Sequence, residues 1–155
     1  MNKISQIFST LFFIGYSKWA PGTIGSLASL IIIMFLQSFI SNTIFIALFI
    51  CIFILATIFV TIYSKTINNH DAREIVIDEF LGIYLILIFS YNFNSFNEFV
   101  KIFLIFIFFR LFDIIKLFPA NWIDKNMKNS SGIILDDIIA GVYTIIILTL
   151  LNAFI

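Results

Sequence analysis

Residues 132–151 read GIILDDIIAGVYTIIILTLL. A spanning helix needs roughly 20 predominantly apolar residues, and this run is fit to lie in lipid. It nevertheless carries two adjacent carboxylates, Asp136 and Asp137, near its head. An ionised carboxylate in hydrocarbon is costly, so acids so placed usually have a task. What that task is depends on where the other charges fall.

The rest of the chain has the same character. It has 155 residues, 61% of them hydrophobic and 12% charged. A soluble domain averages about 25% charged. Mean hydropathy is +1.10. These values predict an integral membrane protein forming one domain over residues 1–155. Formal net charge is zero, so no bulk field argues for nucleic acid as a partner. The single cysteine, Cys51, lies in the apolar stretch FICIFIL. With no basic neighbour there, it suits packing rather than nucleophilic work. The N-terminal stretch shows no small-residue cleavage pattern, so no cleaved signal peptide is expected.

Five apolar segments are readable, at about 23–40, 43–63, 75–91, 99–118 and 133–154. Residues 4–16 are too short to span. The expected fold class is therefore all-α: a polytopic integral membrane helix bundle with about four to five transmembrane helices. A short N-terminal interfacial or re-entrant helix precedes them. If each segment crosses once, Lys18, Lys65, Arg73, Lys116, Lys125 and Lys128 share one side, and only Lys101 lies near the other. Short loops rich in Lys and Arg stay in the cytoplasm, which makes that side cytoplasmic.

The acids gather on the same side, all but Glu98. Simple flanking of membrane spans accounts for Asp71, Glu74 and Asp124. It accounts poorly for Asp78, Glu79, Asp113, Asp136 and Asp137, which lie inside the apolar runs. The stretches EIVIDEFLG and IILDDIIAG each place an Asp four residues before a Gly: Asp78 with Gly82, Asp137 with Gly141. Positions i and i+4 share a helix face, and a small residue on that face lets helices approach closely. Carboxylates brought together in this way repel or take up protons unless neutralised. A divalent cation resolves the conflict, and oxygen-only ligands favour Mg²⁺, Mn²⁺ or Ca²⁺ over zinc.

The stretch FRLFDIIK adds cations, with Arg110, Asp113 and Lys116 along one stripe. Arg and Lys suit a phosphate, the first by its fork and the second as a point charge. An internal salt bridge is the plainer alternative. SKWAPGTIGS opens the first span, and Pro21 suits a first helical turn. Such a helix N-terminus can hold an anion, or can simply start a helix with small packing residues. His70, the only histidine, lies in the polar loop TINNHDARE and is expected to be solvated rather than a base. The residues thus point to a cation-assisted site at the cytoplasmic face, with metal-assisted phosphoryl chemistry on a lipid headgroup as one chemistry that fits.

In combination, APGTIGS, IVIDEFLG, RLFDIIKLFP and SGIILDDIIAG resemble the phosphatidylglycerophosphatase A family, in its order and across Gly15 to Val142. One departure is visible: the family usually has Pro directly after the motif lysine, whereas Leu117 follows Lys116 here and Pro119 is retained. The resemblance implies a multi-pass enzyme of the bacterial inner (cytoplasmic) membrane, with its active site facing the cytoplasm and dependent on Mg²⁺. It would hydrolyse phosphatidylglycerophosphate to phosphatidylglycerol and phosphate, a step of phospholipid biosynthesis. Its partners would be that phospholipid substrate and the lipid bilayer. The matched polar positions are Asp71, Asp78, Glu79, Arg110, Asp113, Lys116, Asp136 and Asp137. On this reading Asp78, Glu79, Asp136 and Asp137 are metal-ligand candidates, and Asp113, Arg110, Lys116 and Asp71 are catalytic candidates. Two rivals share some of these features: a metal-dependent lipid headgroup transferase, and a non-enzymatic ion or proton pathway.

Overall fold

The computed structural model describes residues 3–69 and 72–154. Among them the chain is all α, with seven helices: α1 Lys3–Ser9, α2 Pro21–Gln37, α3 Asn42–Ile67, α4 Ile77–Phe89, α5 Glu98–Ile115, α6 Ala120–Asn126 and α7 Ser130–Phe154. Single 3-10 turns follow at Ile14–Tyr16 and Ser90–Asn92.

α4 is the centre of the arrangement. All but three of its 13 residues are buried. It packs against α7, α2, α3 and α5. At 1.5 Å per residue it is only about 20 Å long, and its end at Phe89 passes straight into the second 3-10 turn. The apolar run at 75–91 predicts a longer helix than forms. Val76 N–H is instead bonded to the Ser9 carbonyl at 3.1 Å, and Ile75 N–H closes a turn onto Ala72. The chain therefore enters α4 from an irregular segment rather than from a preceding helical turn.

α4 and α7 cross in close contact, and two glycines make it possible. A Cβ on Gly141 would lie 2.8 Å from the Gly82 carbonyl oxygen. A Cβ on Gly82 would lie 2.8 Å from the Asp137 carbonyl oxygen and 2.6 Å from the Phe109 ring. An ordinary carbon–oxygen contact is about 3.3 Å or more, so neither position tolerates a side chain as the helices stand. The paired Asp-x-x-x-Gly stretches are thus packed face to face.

The outer surface is apolar. α3 exposes Ile44, Ile46, Ile50, Ile54 and Ile58, and α7 exposes Ile146 and Leu150. Only 17% of the most apolar stretch of α3 is buried, which separates it from the buried core helix of a soluble protein. α3 and α7 are the two helices long and apolar enough to cross a membrane, at 26 and 25 residues. α1 packs on α3, and its Ser5 and Ser9 are buried; at seven residues it is too short to span.

Helix ends carry the turns. Asn97 caps α5, its side chain accepting from Val100 N–H at 2.8 Å. α3 and α5 each stop at a left-handed residue, Asn68 (φ 51°) and Lys116 (φ 49°). Asn tolerates that region, whereas for Lys it is strained. At the end of the bundle away from the acids, Asn152 of α7 accepts from Ser95 N–H at 2.9 Å and donates to the Asn92 carbonyl at 3.1 Å.

Candidate active site

The starts of α4 and α7 and the end of α5 meet around the acids. α4 contributes Asp78 and Glu79 from its first turn, where the helix dipole favours negative charge. α7 contributes Asp136 and Asp137, and both are buried. α5 contributes Arg110 and Asp113 from its last turns, with Lys116 as its cap. Carboxylate oxygens of Asp78, Glu79 and Asp137 all lie within 4.8 Å of one another. Together with Asp113, Lys116, Asp124 and Asp136 they line a cavity of about 160 Å³.

The cations are divided between two tasks. Arg110 Nη1 forms an ion pair with Asp113, lies 3.8 Å from Glu79 Oε1 and donates weakly to Ser26 Oγ at 3.4 Å. Lys116 Nζ donates to Asp136 Oδ2 at 2.6 Å and to Asp124 Oδ1 at 2.8 Å, tying α6 to α7. The left-handed cap conformation turns this lysine away from the axis of α5, and its N–H still closes onto the Phe112 carbonyl at 2.9 Å. Partial burial works to lower the Lys116 pKa, but the hydrogen bonds and charges of Asp124 and Asp136 outweigh it and hold the ammonium form. The Lys116 hydrogen bond in turn holds the Asp124 carboxyl below its ordinary value, against a smaller opposing effect of burial.

Asp78, Glu79 and Asp137 could hold a metal ion, and the donor set fits one. Glu79 Oε2 is buried and has no hydrogen-bond partner among the described residues, and a buried carboxylate oxygen left so is costly unless something binds it. All three donors are hard oxygens, which suits a hard divalent cation.

Asp136, grouped with the metal-ligand candidates from sequence, is placed differently. One of its oxygens faces Lys116 and the other accepts from Asp137 N–H at 3.1 Å. Asp71 lies outside the described residues, as does His70; the next residues, Ala72 and Arg73, line the cavity. From the sequence, Asp124 reads as simple flanking and Arg73 as part of the cytoplasmic charge bias. Both line the cavity, and no local spacing would have revealed that. The APGTIGS stretch also has a site role. Gly22 faces Glu79 and Arg110, and a Cβ there would collide with Glu79 Oε1 and sit 3.2 Å from Arg110 Nη1.

A match to the family described as phosphatidylglycerophosphatase A covers residues 7–152. The chain belongs to that family. A phosphatidylglycerophosphatase A of Haemophilus influenzae is 33% identical over 128 residues, covering 83% of this chain and 76% of that protein. The protein of the same name from Escherichia coli is 31% identical over 128 residues, covering 83% and 72%. A Bacteroides thetaiotaomicron protein, provisionally named a phosphatidylinositol-3-phosphatase, is 29% identical over 145 residues, covering 92% and 89%. No solved structure matches. All four motifs of the phosphatidylglycerophosphatase A resemblance lie inside the matched span, and each sends a side chain or a close-packed glycine to the acidic cavity or the crossing beneath it.

Proposed function

We propose that this chain is a phosphatidylglycerophosphatase, a phosphomonoesterase that hydrolyses phosphatidylglycerophosphate to phosphatidylglycerol and inorganic phosphate. The observation that carries the reading is the convergence of Asp78, Glu79 and Asp137 within 4.8 Å, beside the cations Arg110 and Lys116. Family membership supplies the substrate class.

Residues 1–155 act as one membrane-embedded domain. α2, α3, α4, α5 and α7 cross the bacterial inner membrane, α3 and α7 being long enough to do so without help. The other three are shorter, at 17, 13 and 18 residues, and in this reading the irregular segments that flank them complete their crossings. The acidic end is cytoplasmic because Lys65, Arg73, Lys116, Lys125 and Lys128 accompany it. The acyl chains of the substrate stay among the outward apolar faces while the terminal phosphate enters the small polar cavity.

Asp78, Glu79 and Asp137 hold Mg²⁺ in this reading. Bound there, Mg²⁺ supplies Lewis-acid polarisation of a phosphoryl oxygen. Arg110 and Lys116 hold the remaining phosphate oxygens and stabilise the charge that develops on them. Asp136 and Asp124 position Lys116. The family resemblance keeps Asp71 as a catalytic candidate next to Arg73. Asp113 stands beside Asp137 and serves one of two routes. In the first it orients the attacking water. In the second its carboxylate attacks phosphorus, the bond to the glycerol oxygen breaks, that oxygen takes a proton from water, and a second water cleaves the acyl phosphate.

The test is phosphate release from phosphatidylglycerophosphate by the purified protein in detergent, with Mg²⁺ and with excess chelator. Release that needs Mg²⁺ and no alcohol acceptor supports the reading and separates it from a headgroup transferase. Ion flux in liposomes without any phosphate release would contradict it.

A further inference from the structure

A second cavity, of about 540 Å³, lies between the last turns of α3 and the start of α7. It is larger than the acidic cavity, at about 160 Å³. Ligand pockets run at about 300–1,000 Å³, so the acidic cavity has room for a terminal phosphate and the second has room for a headgroup. The two flank one turn: Met127 and Gly132 line the acidic cavity, and Lys128 and Ser131 line the other.

The chemistry of the second cavity is the reverse of the first. Among the described residues its lining holds two cations, Lys65 and Lys128, and no carboxylate. Neither lysine takes part in an ion pair among the described residues, though Lys128 Nζ donates to the Asp124 carbonyl at 3.0 Å. Asn68 and Asn129 also line it; Asn129 Oδ1 accepts from Gly132 N–H at 2.9 Å, and its NH₂ is left to meet a hydroxyl group. The floor runs from Asn68 to Thr57 along α3, about 16 Å of helix, and so reaches from the polar rim into the apolar layer. Thr61 and Ser130 share a hydrogen bond across it, which joins the two helices beneath the mouth.

We propose that this groove is a second lipid site, which takes an anionic glycerophospholipid with a polyol headgroup. The lysines hold the phosphodiester, the asparagine amides hold the headgroup hydroxyls, and an acyl chain follows α3 past Thr57. The inference rests on the membrane placement of α3 and α7 given above, and it is independent of the catalytic assignment. Juxtamembrane cations attract anionic headgroups, and two of them at one mouth account for selectivity over a zwitterionic lipid.

The experiment is native mass spectrometry of the full chain in detergent, with phosphatidylglycerol and phosphatidylcholine as competing probes and glycerol 3-phosphate as a soluble one. Wild type should retain phosphatidylglycerol about tenfold or more over phosphatidylcholine. Lys65→Gln with Lys128→Gln should abolish that preference, and Thr57→Leu, which narrows the groove and keeps both lysines, should lower total retention. Asp137→Asn should leave retention unchanged. Thermal unfolding in detergent shows that each variant is folded, and phosphate release by the same preparations reports the proposed activity separately from lipid retention. Undiminished preference in the double-lysine variant overturns the site, as does loss of retention in Asp137→Asn. Binding of glycerol 3-phosphate as tight as that of the lipid also overturns it, and so does a Thr57→Leu variant that retains lipid fully.

Discussion

Replacing Gly82 by Ala tests whether the glycine crossing sets the geometry of the acidic cluster. The new Cβ would stand 2.8 Å from the Asp137 carbonyl oxygen and 2.6 Å from the Phe109 ring. Relief to an ordinary contact of about 3.3 Å requires α4 and α7 to part by about 0.5 Å. A helical carbonyl cannot rotate away without breaking its own ladder, so the separation falls on the helices. Overpacking of this kind costs about 1–3 kcal/mol, and the better helix propensity of Ala returns about 1 kcal/mol. The net loss of stability is therefore about 0–2 kcal/mol, and the protein should fold. Function should suffer more than stability. The carbonyl that is pushed belongs to Asp137, so the same displacement is transmitted to the carboxylates that must close on one cation. A 1 Å misplacement at a reacting centre can cost about 10²-fold in rate, so half of that predicts a loss on the order of tenfold. The assay is phosphate release as a function of Mg²⁺ concentration, paired with thermal unfolding in detergent. The expected result is a reduced rate, a Mg²⁺ half-saturation point moved upward, and a melting temperature lowered by a few degrees at most. Wild-type rate and Mg²⁺ dependence in a folded Gly82→Ala protein would refute the reasoning.

Other perturbations bear on separate parts of the site. Asp137→Asn and Asp113→Asn should each lower turnover by at least about 10²-fold with unfolding temperatures close to wild type; near-normal turnover in either would remove that residue from the proposed chemistry. Lys116→Met leaves buried Asp136 unpaired and should destabilise by about 1–3 kcal/mol, less than a fully buried pair because Lys116 is partly exposed. Asp124→Asn, at the rim of the same network, should cost under about 1 kcal/mol, and denaturant titration of the two variants checks the order. Gly22→Ala pushes on Glu79 and Arg110 rather than on a helix crossing, so it should lower kcat with little change in melting temperature. Acid quench after a single turnover with ³²P-labelled substrate should leave label on the protein if Asp113 attacks phosphorus, and none if water attacks directly.

The sequence carried the helical class and the meeting of the acids, because both rest on patterns a chain displays locally. Acids inside apolar runs, each with a glycine one turn on, can be matched from the sequence alone, and Gly82 and Gly141 are in contact as that spacing requires. The lengths of the helices were less legible. α4 is shorter than its apolar run because its flanks make hydrogen bonds to Ser9 and Ala72, partners that hydropathy does not contain. α3 runs on through Ser64, Lys65 and Thr66 to Ile67, past the apolar segment that ends near residue 63, since polar side chains at a rim are as compatible with helix as apolar ones. Within the site, Asp136 and Asp137 are neighbours with identical chemistry, yet successive helical positions point about 100° apart. Only the fold determines that one meets Asp78 and Glu79 while the other meets Lys116. Asp124 and Arg73 come from a short helix and a turn whose direction no periodicity encodes. The left-handed cap at Lys116 had no signal either, since a lysine is an unexpected residue for that conformation.

The most direct measurement is titration of the purified protein with Mn²⁺, read by electron paramagnetic resonance, for wild type and for Asp137→Asn. The account predicts saturable Mn²⁺ binding in wild type that Mg²⁺ displaces, and its loss in the variant. Equal binding in both proteins, or phosphate release by a wild type that binds no cation, would contradict it.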